Sequence, residues 1–240
     1  MDTVKLTQKG NTKMVAHRGA SGIERENTLP AFVAAGNRTY FGIETDVHRT
    51  KDGKFLLHHD RNIKRVSGVD ADIGETDFDT LRAIPILDKD GVSTRIDLRL
   101  PTLEEYIRVC HRYGKTAVLE LKSDFSREEL CEIVAIIDGI GHLDDTVFIA
   151  FGLENLIRLR EGHPDAKAQY LVERFDEGLI ETLLKHRLDL DIYFSAMTEE
   201  RVKLCHENGI LVNVWTVDDP VKAEELIEMG VDMITSNILE

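Results

Sequence analysis

The 240-residue sequence has no apolar run near the ~20 residues that span a bilayer, and no Pro-, Gly- or Ser-rich stretch that would mark a linker. The first absence argues against a membrane-spanning helix, and the second predicts a single domain over residues 1–240. Residues 1–13 are polar and lack the apolar segment of a secretory signal, so we expect a cytoplasmic protein.

Cysteines and basic residues are also scarce. The three cysteines, Cys110, Cys131 and Cys205, are odd in number and widely spaced, which predicts free thiols that pack in the fold instead of a disulfide framework. Lys and Arg number 30 against 44 Asp and Glu, so the net charge is −14, and we expect no nucleic-acid partner. The lack of a basic amphipathic helix predicts no stable membrane association.

What the sequence does contain is an alternation of strand-like and helix-like segments. Eight short segments are apolar or alternate as strands do: 14–16, 41–47, 116–121, 147–151, 168–172, 191–194, 210–217 and 232–235. Helix starts are predicted at Asn27, Ser126, Thr198 and Asp218 or Asp219, and helix ends at Gly36, Gly114, Gly209 and Gly230. The repetition predicts a closed α/β barrel, the (β/α)8 TIM barrel. An open doubly wound sheet is the alternative, but no Gly-rich fingerprint follows the first strand.

One interval, about residues 49–101, breaks this rhythm. It contains a turn at Lys51-Asp52-Gly53, an extra strand-like segment at 55–58 and a short helix near 78–83. We predict a small insertion after the second barrel strand, lying over the rim where barrel enzymes vary their substrate contacts.

Carboxylates stand near the ends of two predicted strands. Glu44 and Asp46 point to the same face because strand residues alternate, and the same rule pairs Glu120 with Lys122. Three carboxylates at one barrel mouth would need a cation or protonation, and oxygen ligands suit Mg²⁺ or Ca²⁺. The alternative is that Glu44 and Asp46 are exposed and Glu120 simply forms an ion pair with Lys122.

Two histidines follow apolar runs and are candidates for acid–base chemistry. His17 comes after 14–16, and either His58 or His59 can point inward after 55–57; alternation leaves that choice open. Single histidines at such positions are often structural, but two beside a metal site suit proton transfer near neutral pH. Arg18 can bind a phosphate or form a salt bridge with a glutamate of the following loop.

Seven short motifs occur in a fixed order along the chain: His17-Arg18-Gly19, Glu26-Asn27-Thr28, Glu44-Thr45-Asp46-Val47, Thr50-Lys51-Asp52-Gly53, His59-Asp60, Glu120-Leu121-Lys122 and Val214-Trp215-Thr216-Val217. In this order and spacing, over residues 14–236, the sequence resembles the glycerophosphodiester phosphodiesterase family. The resemblance implies a (β/α)8 barrel whose insertion carries a catalytic histidine. It also implies metal-dependent hydrolysis of a small glycerophosphodiester to sn-glycerol 3-phosphate and an alcohol.

The resemblance also implies residue roles, and it selects His59 over His58 because the family's histidine directly precedes Asp. In the family's proposed route the glycerol 2-hydroxyl attacks phosphorus, and water then opens the cyclic phosphate. One divalent ion is implied, Mg²⁺ or Ca²⁺, with Mn²⁺ also possible. The implied residues are His17 and His59 as acid/base pair; Glu44, Asp46 and Glu120 as metal ligands; and Arg18, Lys122, Asn27 and Trp215 as phosphate or substrate contacts.

Some features depart from that pattern or leave choices open. Arg25 replaces a common proline, and Ser236 stands where an Asp often follows the last strand. Phe151 and Phe194, also at strand ends, could line the same pocket as Trp215, but core packing is favoured for both. The sequence indicates neither the released alcohol nor the oligomeric state.

Two alternative functions remain. The first is a lipase acting on intact lipid, which is disfavoured by the lack of an apolar docking loop. The second is a catalytically silent barrel, which is disfavoured because both histidines and all three carboxylates are present.

Overall fold

A closed barrel of eight parallel strands forms the centre of the computed structural model, which describes residues 2–240. The barrel strands are β1 (Lys13–Ala16), β2 (Gly42–Arg49), β4 (Thr116–Leu121), β5 (Thr146–Ala150), β6 (Lys167–Val172), β7 (Asp189–Tyr193), β8 (Val212–Trp215) and β9 (Met233–Ser236), and β3 (Phe55–Leu57) pairs antiparallel with β2. The barrel closes because β1 pairs with both β2 and β9. The predicted TIM barrel is confirmed.

Helices surround the barrel in the predicted alternation. They are α1 (Leu29–Gly36), α2 (Lys64–Ser67), α3 (Phe78–Ala83), α4 (Leu103–Tyr113), α5 (Arg127–Gly139), α6 (Leu153–Gly162), α7 (Leu179–His186), α8 (Glu199–Glu207) and α9 (Pro220–Glu228), with short 3₁₀ turns at Ile73–Glu75, Leu143–Asp145 and Phe194–Ala196. Within residues 2–240, no helix combines the length and the apolar character needed to cross a membrane.

The caps of these helices are mostly those predicted. Ser126 forms a reciprocal capping box with Glu129, and Thr198 caps α8. The prediction for α1 is wrong by one residue: the hydroxyl of Thr28 caps the helix by accepting from the Ala31 N–H. The reason is that the preceding Asn27 points its side chain to β2 instead, as described below.

The barrel interior is filled by an apolar cluster that supports the polar rim. It comprises Val15, Val118, Val147, Ile149, Leu171 and Met233, which come from alternate positions of barrel strands. Because side chains two residues apart share a face, His17 lies one step above Val15, and Glu120 lies one step above Val118. The strand ends therefore present polar groups on a dry apolar base, as is typical of this fold.

The segment between β2 and α4 has its own small core. Leu56, Ile63, Val66, Ile73, Leu81, Ile86, Leu98 and Leu100 are buried together and separately from the main core. The segment is fastened to the barrel by the β2–β3 pairing and by the His58 N–H, which donates to the Asp46 carbonyl oxygen at 3.0 Å. This bond holds the residues after β3 at the carboxyl end of β2.

We expect Leu81→Ala to lower the free energy of unfolding by about 2–5 kcal/mol, because Leu81 is fully buried in this second core. Val92→Ala is the matched control in the same segment. Val92 is 80% exposed, so its truncation is expected to change stability by less than about 0.5 kcal/mol. Urea denaturation measures both, and equal effects would contradict the assignment of a separate core.

Candidate active site

Three buried carboxylates meet at the carboxyl ends of β2 and β4. Asp46 lies directly opposite Glu120 in the strand register, and Glu44 lies one inward position earlier on β2. One oxygen from each of the three carboxylates lies within 4.8 Å of the other two. Glu44, Asp46 and Glu120 are only 3%, 1% and 7% exposed, so the alternative of solvent-exposed carboxylates does not apply.

The three buried carboxylates repel one another, and this repulsion is reflected in their pKa values. Burial raises the pKa of Glu44 well above its ordinary value, and Asp46 and Glu120 raise it further. Burial and Asp46 likewise raise the pKa of Glu120 to about 8. Burial would also raise the pKa of Asp46, but Lys122 and Arg18 outweigh it, so the pKa falls to about 2. The cluster thus disfavours three simultaneous negative charges.

These residues fit a divalent cation. All three offer carboxylate oxygens, the donor type that Mg²⁺, Ca²⁺ and Mn²⁺ accept. Asp46 Oδ1 is buried and has no hydrogen-bond partner among residues 2–240. This oxygen is therefore available as a metal ligand at the centre of the cluster. Asn27 fixes the other oxygen: its Nδ2 donates to Asp46 Oδ2 at 2.7 Å, while its Oδ1 accepts from the Thr45 hydroxyl at 2.7 Å.

Two cationic side chains border the carboxylates. Lys122 Nζ lies 2.9 Å from Glu120 Oε1 and 3.7 Å from Asp46 Oδ1. Arg18 Nε lies 3.8 Å from Asp46 Oδ2, and the Arg18 backbone N–H donates to Glu44 Oε2 at 2.8 Å. The expected salt bridge of Arg18 is present, because its Nη1 pairs with Glu26 at 2.9 Å, and the residue also lines the central cavity.

Gly19 permits the tight loop that carries Arg18. Its φ is +77°, and a Cβ at this position would lie 2.7 Å from the Ala31 carbonyl carbon in α1. A larger residue would therefore be strained and would clash with backbone. The turn places the Arg18 N–H over Glu44 and the Gly19 N–H 3.2 Å from the Glu44 carbonyl oxygen.

His17 is held by a residue that the sequence analysis did not identify. Its Nδ1 lies 2.8 Å from Asn237 Oδ1, and Asn237 Nδ2 donates to Asp218 Oδ2 at 2.6 Å. The Asp218 contact turns the amide oxygen toward His17, which therefore carries its proton on Nδ1 and leaves Nε2 free toward the cavity. Burial, reinforced by Arg18, lowers the pKa of His17 to about 4. Asn237 directly follows the last strand, so the strand-end pattern contained this signal.

His59 is held by a chain of ion pairs. Its Nδ1 lies 2.7 Å from Asp60 Oδ1, and Asp60 Oδ2 accepts from Arg65 Nε at 2.6 Å. Arg65 continues to Glu26 at 2.8 Å, which pairs with Arg18. Burial lowers the pKa of His59, although Asp46 and Asp60 oppose the shift. Sequence reasoning missed Arg65 because it belongs to no motif, although it follows Asp60 by only five residues.

One cavity of about 90 Å³ brings most of these residues together. Its lining comprises His17, Arg18, Glu44, His59, Glu120, Lys122, Ile149, Phe151, Leu171, Asp191, Trp215, Thr216 and Thr235. Asn27 and Asp46 lie just behind this lining and contact each other. His58 is buried outside the lining, in agreement with the choice of His59.

An aromatic wall closes one side of the cavity. The Trp215 ring lies 5.6 Å from the rings of both Phe151 and Tyr193. The expectation that Phe151 belongs to the core is wrong: it is 43% exposed and lines the cavity, because it comes directly after β5 at the rim. Phe194 packs against the main core and is absent from the lining.

Comparison with known proteins identifies the family. The sequence profile of the glycerophosphoryl diester phosphodiesterase family matches residues 17–240. The chain belongs to this family. It is 26% identical to a glycerophosphodiester phosphodiesterase of Bacillus subtilis, over 93% of this chain and 82% of that protein. A glycerophosphodiester phosphodiesterase of Caldanaerobacter subterraneus is also 26% identical, over 94% of each chain.

Solved structures agree with this family assignment. A phosphodiesterase of Oleispira antarctica in complex with the product sn-glycerol-3-phosphate has a TM-score of 0.82 and 25% identity, covering 94% of this chain and 93% of that one. A putative phosphodiesterase of Silicibacter pomeroyi shares the fold, with a TM-score of 0.86, 24% identity and coverage of 99% and 91%. The predicted family and enzyme class, a phosphoric diester hydrolase, are confirmed.

Arg65→Gln tests the ion-pair chain that supports His59. Burial would raise the pKa of Glu26, but Arg65 and Arg18 outweigh it and lower the value from 4.5 to about 2. A depressed carboxyl pKa stabilises the fold above 4.5, and that contribution is lost as the pH falls toward 2. We therefore expect the variant to lose about 1–2 kcal/mol at pH 7 and progressively less below pH 4.5.

Urea denaturation across this pH range measures the difference. Arg61→Gln is the matched control, because Arg61 lies in the same segment and has a 75% exposed side chain whose ion pairs are no shorter than 3.6 Å. A pH-independent loss in the Arg65 variant, or an equal loss in both variants, would contradict the proposed chain.

Proposed function

We propose that this protein hydrolyses glycerophosphodiesters to sn-glycerol 3-phosphate and an alcohol, using His17 and His59 as the acid/base pair. The observation that carries the proposal is their convergence on one small cavity with two of the three carboxylates and both cationic side chains. Asp46 completes the carboxylate cluster behind the lining. Family membership and the glycerol-phosphate product in the Oleispira antarctica structure support the same substrate class. A cytoplasmic location stays a prediction.

Arg18 and Lys122 are proposed to bind the phosphate. Both residues line the cavity next to the carboxylates. In the absence of substrate, their positive charges offset the negative charge of the acidic cluster. A planar guanidinium donates two parallel N–H groups to phosphate oxygens, whereas an ammonium acts as a point charge. Because both lie beside the carboxylates, the substrate phosphate is expected at the same end of the cavity.

Glu44, Asp46 and Glu120 are proposed to hold one divalent cation, Mg²⁺, Ca²⁺ or Mn²⁺. When bound, such a cation stabilises negative charge on the phosphate oxygens. Asn27 orients Asp46 by donating to its Oδ2, and the Arg18 N–H orients Glu44 by donating to its Oε2. Lys122 Nζ lies 2.9 Å from Glu120 Oε1, so each of the three ligands has a neighbouring group that holds it in place.

His17 is the proposed base and His59 the proposed acid of the first step. The Nε2 of His17 is free, and its partner Asn237 is a neutral amide, so the ring is poised to take the proton of the attacking glycerol 2-hydroxyl. The P–O bond to the alcohol breaks as the new bond to the 2-oxygen forms. Before this step, the Asp60 carboxylate stabilises the imidazolium form of His59. His59 then gives its Nε2 proton to the departing oxygen.

The second step reverses these roles. The cyclic phosphate is opened by water, which gives one proton to His59, and His17 returns its proton to the 2-oxygen. Proton balance is then restored in both rings. Asn237 and Asp60 keep Nδ1 occupied in each histidine, so that Nε2 is the atom that exchanges protons in both steps.

The direct test is release of glycerol phosphate from glycerophosphocholine and glycerophosphoethanolamine. We expect no turnover in EDTA and restored turnover with Mg²⁺, Ca²⁺ or Mn²⁺, because the buried carboxylates need a cation. Enzyme-coupled detection of glycerol 3-phosphate is the measurement. Undiminished hydrolysis after complete metal removal, or none with any of the three ions, would overturn the proposed metal dependence.

The acid/base assignment is tested by His17→Ala and His59→Ala. Each is expected to lower kcat by about 10²–10⁴-fold, because general acid or base catalysis contributes that much. His58→Gln is the matched control: its ring is buried outside the cavity lining, so kcat is expected to stay within about tenfold of wild type. Thermal unfolding verifies that all three variants fold, and wild-type turnover in either alanine variant would refute its role.

A further inference from the structure

A buried carboxyl that the proposed mechanism does not use faces the same cavity. Asp191 lies on β7, in register with Leu171 of β6 and Asn213 of β8. It is 1% exposed and lines the cavity together with His17 and His59. Its Oδ1 is fully enclosed and has no hydrogen-bond partner among residues 2–240. An unsatisfied buried carboxyl is costly, and such groups in a cavity are candidates for ligand contact.

The surroundings of Asp191 are polar but uncharged. Asn213 Oδ1 accepts from the Thr235 hydroxyl at 3.2 Å, and Asn213 Nδ2 donates to Gln169 Oε1 at 3.4 Å. Burial raises the pKa of Asp191 to about 8, with Asn213 opposing the shift, so the carboxyl is mainly protonated at pH 7. A protonated carboxyl both donates and accepts one hydrogen bond, as an alcohol does. The matching ligand group is therefore a neutral hydroxyl.

Asp191 also lies deeper in the barrel than the phosphate-binding rim. It shares a strand face with Tyr193, the last residue of β7, and stands one inward position below it. The cavity lining also contains apolar side chains: Leu171, which is in register with Asp191, together with Ile149 and the Trp215 ring. A phosphate held at the rim would thus place one short arm among these apolar side chains, with Asp191 as the hydroxyl-binding group.

We propose that Asp191 binds the terminal hydroxyl of the substrate's glycerol arm and so selects glycerol esters over other phosphodiesters. This inference rests on the proposed function. The small cavity of about 90 Å³ suits a three-carbon arm, whereas a wider cavity of about 760 Å³ adjoins it at Phe151 and Leu171 and leaves room for the released alcohol. Removing the hydroxyl leaves the buried carboxyl unpaired again, which makes discrimination strong.

Two substrates separate this role from catalysis. Glycerophosphocholine is compared with 2-hydroxypropyl phosphocholine, which keeps the attacking 2-hydroxyl and lacks only the terminal one. We expect wild-type kcat/KM to be about 10- to 100-fold higher for glycerophosphocholine. Asp191→Ala is expected to lose that advantage while retaining wild-type kcat/KM for the deoxy substrate. Asp191→Asn, which keeps the shape and both hydrogen-bonding functions, is expected to retain most of it.

The outcomes are distinct. Equal wild-type activity on the two substrates would overturn the inference, and so would an Asp191→Ala variant that loses activity equally on both, since that indicates a structural role. If Asp191→Ala fails to fold, the wild-type ratio and the Asp191→Asn variant still decide. Wild-type protein that hydrolyses neither substrate with any divalent ion would instead contradict the proposed function, and the inference would fall with it.

Discussion

Mutual repulsion among Glu44, Asp46 and Glu120 is the constraint on which the rest of the site depends. Two unit charges ~4 Å apart repel by about 4 kcal/mol at an effective dielectric near 20, and these three are buried within 4.8 Å of one another. Every neighbouring contact offsets this cost: the N–H of Arg18, the amide of Asn27 and the ammonium of Lys122 all point at the cluster. The carboxylates are thus arranged to bind a cation, and Arg18 and Lys122 beside them are arranged to attract an anionic ester.

The barrel makes this concentration of charge tolerable. Parallel strands bring residues far apart in sequence to one rim, and strand alternation divides each strand between an apolar helix-facing side and the interior. The buried apolar cluster around Val15 and Val118 supports the site from below. The bond from the His58 N–H to the Asp46 carbonyl then fixes the segment that carries His59 beside a proposed metal ligand. The strand ends that stabilise the inserted segment are thus the same ones that carry the proposed site residues.

The sequence reveals the parts of the site that follow from periodicity and misses those that depend on tertiary pairing. Alternation was enough to place Glu44 with Asp46, and the family motifs added His59 and Trp215. Asn237 stands at a strand end, but its contact with His17 spans 220 positions of the chain, and Arg65 reaches Glu26 across 39 positions, so neither contact follows from local spacing. Asn27 shows the opposite error: it was predicted to cap α1, but its amide oxygen accepts from the Thr45 hydroxyl and its amide N–H donates to Asp46.

Anomalous diffraction from crystals soaked in Mn²⁺ tests the central claim most directly, because it locates the ion without relying on activity. We expect one strong peak between the carboxylates of Glu44, Asp46 and Glu120, and loss of that peak in a Glu44→Gln crystal soaked identically. A wild-type map with no peak at these carboxylates, or with its main peak elsewhere on the protein, would contradict the claim that the acidic cluster is built around a divalent cation.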